Sequence, residues 1–240
     1  MRFSKSQSPK TTSTTSSLPR AALVGAGWGV GAGLLLCLGA WLSPLAASDR
    51  PALALLAVTV SLPLGCVVAR RPAGIRDAGA VGLSGIVAAL ALAAVVSLAD
   101  PALFVRTASW CLAAGLIGVG TASTVRGAGV FATAFWLLLC ALPFMFDKMP
   151  VLQQTAESWA MQGCPWLGFA QDALGGDPLR RPVLYLGHWS GLSSHTSMNL
   201  LQVSTLWLTA VPAFASLIVS SEVRGRRETE DSPVVEPVGA

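Results

Sequence analysis

Charge is what this chain has least of: Asp, Glu, Lys and Arg make up 12% of its 240 residues, about half the share in an ordinary soluble domain. The shortage is concentrated. Six stretches, at 21–43, 51–69, 78–99, 107–125, 127–146 and 198–221, contain no Asp, Glu, Lys, Arg or His. Hydrophobic residues reach 53% and the mean hydropathy is +0.62. A water-soluble fold of this length is excluded, because it would need a polar surface that the chain cannot supply.

Other absences narrow the function. No basic block is interleaved with aromatics, which argues against a nucleic-acid partner. No G-x-x-x-x-G-K-[ST] sequence occurs, so nothing points to ATP binding by a Walker loop. His188 and His195 are the only histidines. On one continuous helix they would stand about 10 Å apart, too far for a metal whose ligands lie at ~2.0–2.1 Å. Cys164 and Ser190, Ser193 and Ser194 sit in no recognised nucleophile motif. Cys37, Cys66, Cys111 and Cys140 lie inside the apolar runs, and Cys164 alone is left for the loops. No catalytic residue, cofactor, metal or loop disulfide is expected.

What is present is hydrocarbon. Crossing a bilayer takes roughly 20 mostly apolar residues, and each of the six runs is near or above that length. The expected fold is all-α, a polytopic membrane protein of six spans over 20–223 with the lipid bilayer as its solvent. Residues 21–43 exceed the ~7–15-residue apolar core of a cleaved signal, so they are read as a retained first span. Positive loops stay cytoplasmic. With the N-terminus inside, eleven Lys and Arg fall inside: Arg2, Lys5, Lys10, Arg20, Arg70, Arg71, Arg76, Arg126, Arg224, Arg226 and Arg227. Five fall outside: Arg50, Arg106, Lys148, Arg180 and Arg181. Both termini are therefore expected to be cytoplasmic, with residues 1–19 and 224–240 as disordered tails. Abundant Ala, Gly and Arg with few Lys suits a bacterial plasma membrane.

The connections are short except for an outside loop at 147–197. Structureless loops beyond ~12–15 residues are uncommon. Two short helices are expected in this one, at 151–162 and 166–174. They either lie at or re-enter the membrane surface, with Trp159, Trp166 and Trp189 at the interface, or form an outside cap. In the first span, Gly25, Gly29 and Gly33 recur every four residues, a spacing that lets helices approach closely in lipid, and Gly27 and Gly31 add a second row. Pro63, Pro143 and Pro212 fall within spans, where such defects are tolerated. The sixth span is the most polar, and Gln202, Thr205 and Thr209 follow helical spacing along it. They line a polar passage or hydrogen-bond a neighbouring helix.

The layout resembles the membrane subunit of ABC-2 type exporters. The shared features are length, six spans, both ends inside, and short outside helices before the last span. Gly118-Val119-Gly120-Thr121-Ala122-Ser123 followed by Arg126 is similar to the small-residue, Ser-then-basic turn entering the fifth span of such permeases. Pro165 to Leu186, with Ala173-Leu174-Gly175-Gly176, is similar to the Pro…Ala-Leu-x-Gly pattern before their sixth. The chain departs from the family in two places: residues 1–19 form no amphipathic helix, and the connection after the second span, 70–77, is only eight residues long. The resemblance implies a non-catalytic permease subunit, a homodimer or heterodimer of membrane subunits, and a separate ATPase partner. That ATPase would meet Arg70, Arg71, Arg76 and Asp77. A membrane scaffold whose outside loop binds another protein is the alternative.

Overall fold

The structure, a computed structural model, describes residues 17–42, 50–146, 163–174 and 199–230. These residues form α1 (Ser17–Leu42), α2 (Arg50–Val68), α3 (Ile75–Ser97), α4 (Pro101–Thr124), α5 (Ala128–Phe146), α6 (Pro165–Leu174) and α7 (Asn199–Glu230), with no strand among the described residues. Four segments, Leu18–Leu42, Ile75–Ser97, Pro101–Thr124 and Ser204–Arg227, are long and apolar enough to cross a membrane. This is consistent with a multi-pass integral membrane protein. α2 and α5 are apolar too, at 19 residues each.

Local chemistry sets the helix ends. Asp100 caps α4: its carboxylate accepts the backbone N–H groups of Ala102 at 3.1 Å and Leu103 at 3.2 Å, and Pro101 fits the first turn. α4 therefore begins six residues before the apolar run expected at 107, and Arg106 lies inside the helix. Between α4 and α5 the chain reverses at Gly127, whose φ of 84° is the left-handed conformation that favours glycine. α7 passes the expected tail boundary at 224 and stays helical to Glu230. An i,i+4 pair, Arg226 to Glu222 at 2.6 Å, supports the extension. So does Arg224, whose guanidinium donates to the Ser123 and Thr124 carbonyls at 3.2 and 3.0 Å. A cation at those C-terminal carbonyls also complements the dipole of α4. α1 likewise starts inside the expected tail, at Ser17. The remaining tail residues and the 151–162 helix lie outside the described residues.

Contacts fix the helix directions. Gly25, Gly29 and Gly33 of α1 meet Ser84, Ala88 and Val95 of α3 in the same order, so α1 and α3 are parallel. On α4, Gly115 faces Ser61 and Gly118 faces Cys66, which makes α2 and α4 parallel. Ser109 to Trp207 and Thr124 to Arg224 set α7 parallel to α4. Gly85 against Val119 and Ala89 against Gly115 set α3 antiparallel to α4, and Gly129 beside Cys66 with Trp136 beside Thr59 does the same for α5 and α2. Direction thus alternates along α1–α5 and again at α7. Arg20, Arg70, Arg71, Arg76, Arg126, Arg224, Arg226 and Arg227 all fall at one end of the bundle, with Arg50 and Arg106 toward the other.

α4 is the axis. It packs on α2, α3, α5, α6 and α7, and small residues make that possible. A Cβ on Gly118 would come within 2.3 Å of the Leu62 carbonyl oxygen, and one on Gly120 within 2.2 Å of that of Ala213. Both glycines belong to the stretch that carries the family resemblance, and their positions have a packing reason of their own. The outer helices are apolar on both faces: Leu23, Leu35, Phe131 and Leu208 are 72, 70, 79 and 73% exposed. Soluble monomers rarely expose so much contiguous apolar surface.

Gly25, Gly29 and Gly33 lie against α3. A Cβ at Gly25 or Gly29 would approach a carbonyl oxygen of α3 to 2.2 Å, and one at Gly33 would approach Val95 to 2.7 Å. Gly27 and Gly31 face open space. Gly29→Leu should therefore lower the detergent-solubilised melting midpoint by several degrees, the effect of overpacking by about 1–3 kcal/mol. Gly31→Leu should leave it within about 1 °C.

Candidate functional site

The site begins with a missing hydrogen bond. Pro63 lies inside α2 and has no N–H, so the carbonyl four residues earlier, that of Thr59, loses its helical partner. The Trp136 indole of α5 supplies the replacement, Nε1 donating to that oxygen at 3.0 Å. The Thr59 hydroxyl donates to the Leu55 carbonyl at 3.0 Å and accepts the Trp166 indole N–H of α6. Two indoles from two helices thus converge on one threonine.

The second anchor of α6 is on α4. The Trp110 Nε1 donates to the Asp172 carboxylate at 3.0 Å, the Arg106 guanidinium donates to the Asp172 carbonyl, and the Trp110 and Phe169 rings meet edge to face at 6.0 Å. Thr59 lies nine residues into α2, about 13 Å along its axis. α6 is therefore inserted among α2, α4 and α7, with Cys164, Leu167, Phe169 and Ala170 buried. Trp166, expected in an interfacial belt, is spent on this internal bond. Trp159 and Trp189 lie outside the described residues.

Beneath the first turn of α6 is a cavity of about 670 Å³. Trp110, Ile117 and Thr121 of α4, Ala132, Phe135 and Trp136 of α5, and Thr205 and Thr209 of α7 form its walls, and Gly163, Cys164 and Pro165 its roof. Two of the three polar residues expected on the last span therefore face one space. Gln202 sits on the same helix, where the backbone alone is described. The Thr209 hydroxyl donates to its own helix, to the Leu206 carbonyl at 2.8 Å, and the bond from α7 to α4 comes from Trp207 to Ser109 at 3.2 Å. Thr59, Trp136 and Trp207 were missed at the sequence level. A Pro63 four residues after Thr59 was the one available signal, since it orphans a carbonyl that something must satisfy.

Cys164 is enclosed where α6 begins. It is fully buried, and that burial pushes its thiol up from 9.0 to about 11 although the Trp166 and Leu167 N–H groups favour the thiolate. His188 and His195, and any grouping with Cys164, lie outside the described residues.

The Arg-rich end carries a cleft of about 480 Å³ between the α2–α3 connection and α7, lined by Gly74 to Asp77 and by Ser221, Glu222, Gly225 and Arg226. The four residues expected to contact an ATPase divide into two pairs. Asp77 closes the loop, accepting the Ala73 N–H at 3.1 Å and the Arg70 guanidinium at 3.3 Å, while Arg71 and Arg76 are exposed. The Arg70–Asp77 pair is itself 65% and 36% exposed, so it shapes the loop more than it stabilises the fold. No protein-family model, curated protein or solved structure matches the chain.

Two outcomes test this geometry. Trp136→Phe leaves the Thr59 carbonyl without a donor and should cost about 1–3 kcal/mol. Adding Pro63→Ala restores a backbone N–H, so the double variant should recover part of that loss, read as a non-additive cycle of thermal midpoints. Alkylation of Cys164 by N-ethylmaleimide, followed by peptide mass spectrometry, should stay negligible near pH 8 in the folded chain. Because burial favours the neutral thiol, the rate should rise only as pH climbs from 9 towards 11, with stability falling over the same window.

Proposed function

We propose that this chain is the non-catalytic permease subunit of an ATP-driven exporter of the ABC-2-like kind, working as a homodimer or heterodimer of membrane subunits beside a separate ATPase. It spans a bacterial plasma membrane six times, by α1–α5 and α7, with both termini cytoplasmic. The alternating helix directions support six crossings: α2 and α5, 19 residues each, rise about 28 Å at 1.5 Å per residue, close to the ~30 Å hydrocarbon core. The concentration of arginines at one end supports that end as cytoplasmic.

The observation that carries the permease reading is the cavity between α5 and α7, with Thr205 and Thr209 on its wall and α6 as its roof. A scaffold has no need of a space inside its bundle. The proposed ATPase contact is a composite surface: exposed Arg71 and Arg76 on the short connection, with α7 from Ser221 to Arg226 on the other side of the cleft. An eight-residue loop offers little surface alone, and the α7 extension enlarges it. Closure of the ATPase would push both edges together and rock α7 against α5.

Charge reversal at the two exposed arginines, Arg71→Glu with Arg76→Glu, should reduce co-purification of the ATPase about tenfold, equivalent to ~1.4 kcal/mol. Circular dichroism should be unchanged. Full recovery of the ATPase with this double variant would favour the scaffold.

A further inference from the structure

The chemistry of the cavity restricts what it can hold. Among the described residues no Asp, Glu, Lys, Arg or His lines it, so an ion or a charged head group entering it would lose hydration with nothing in return from them. The two indoles on its wall present rings only, because Trp110 gives its N–H to Asp172 and Trp136 gives its own to the Thr59 carbonyl. Thr121 donates to the carbonyls of Ile117 and Gly118, and Thr209 to that of Leu206. What remains is an apolar space with aromatic walls, in the ~300–1,000 Å³ range of small-molecule sites.

Its shape and mouth narrow the choice further. Along α4 the lining runs from Trp110 to Thr121, eleven residues or about 16 Å. That length matches one leaflet of a ~30 Å hydrocarbon core. The lower limit, Thr121, is three residues short of the end of α4, while Thr205, Thr209 and the α6 roof stand level with the first half of α4, where Trp207 bonds Ser109, so the cavity runs from there down into the half of the bundle nearer the arginines. α5 and α7 hardly touch each other, and Phe135, Thr205 and Thr209 are all exposed while lining the space. The cavity therefore opens sideways, between the exposed apolar faces of α5 (Phe131, Leu138) and α7 (Leu208, Val211). Exposed Arg126 stands in the turn below this opening, where a lipid phosphate would lie.

We infer that this cavity is a lateral binding site for one acyl chain of a phospholipid from the leaflet at the arginine-rich end, with Arg126 pairing its phosphate. The inference needs the membrane setting alone and is independent of any ATPase. A resident chain would fill the space that overpacking cannot, and its exchange would change the separation of α5 and α7.

The test uses the full chain reconstituted in phosphatidylglycerol vesicles containing an increasing fraction of phosphatidylglycerol with a diazirine in mid-chain. After irradiation, adducts are mapped by peptide mass spectrometry. A defined site should give adducts at Ala132, Phe135, Trp136, Leu139 and Thr205 to Thr209 that saturate at a low probe fraction. Adducts on the exposed α1 residues Leu34, Leu35 and Leu38 should rise linearly, as annular contact does. Arg126→Glu should raise the half-saturating fraction severalfold, and Ala132→Trp or Thr121→Leu should cut the cavity adducts at least fivefold with the α1 adducts unchanged. Linear labelling at the cavity positions in the parent chain would overturn the inference, and this measurement needs no variant to fold. Because no ATPase is present, either result leaves the co-purification experiment to decide the permease reading.

Discussion

The Thr59 carbonyl is the point on which the interior depends. Within hydrocarbon, an unpaired backbone group has no water to turn to, and leaving it so costs several kcal/mol. Pro63 creates such a group in the middle of α2, and the fold answers by fixing Trp136 of α5 to it. The hydroxyl of the same residue then receives Trp166 of α6. α2, α5 and α6 are registered at one height by a single residue, and the cavity is what remains beside them. Where a proline in a soluble helix would open a kink to water, here it selects a partner.

Close approach is the second constraint. Helices in lipid gain little from burying apolar side chains, because the lipid is as apolar as they are, so packing relies on backbone proximity and interhelical hydrogen bonds. α4 meets this need with Gly115, Gly118 and Gly120 against α2 and α7, and α1 meets it with Gly25, Gly29 and Gly33 against α3. α5 has no such row facing α7. Among the described residues those two helices stay apart.

Much of this was legible in residues. Uncharged runs gave the helices, and the four-residue glycine spacing identified the face of α1 that α3 covers. Helical spacing put Thr205 and Thr209 on one side, and both face the cavity. Other features could not be read. Arg106 looked like loop charge because its run was bounded by hydropathy, while the Asp100 cap and Pro101 start the helix earlier. α7 looked finished at the first arginine, yet Arg224 reaches the carbonyls that α4 leaves open and the helix goes on. The 70–77 loop read as four contact residues, but Asp77 and Arg70 hold each other, and of the exposed pair Arg76 lines a cleft shared with α7.

Residue order by itself determined the apolar solvent, the helical class and the crowding of arginines toward alternate connections, since each depends only on which residues follow one another. Tertiary structure alone decided that Trp166 is buried on Thr59, that α6 roofs a space, and that α5 and α7 leave that space open. Those outcomes depend on residues far apart in the chain, Thr59 with Trp136 and Trp166, Trp110 with Asp172. No local periodicity encodes such pairings. They arise when an orphaned polar atom and a distant donor meet in a solvent that offers neither of them another partner.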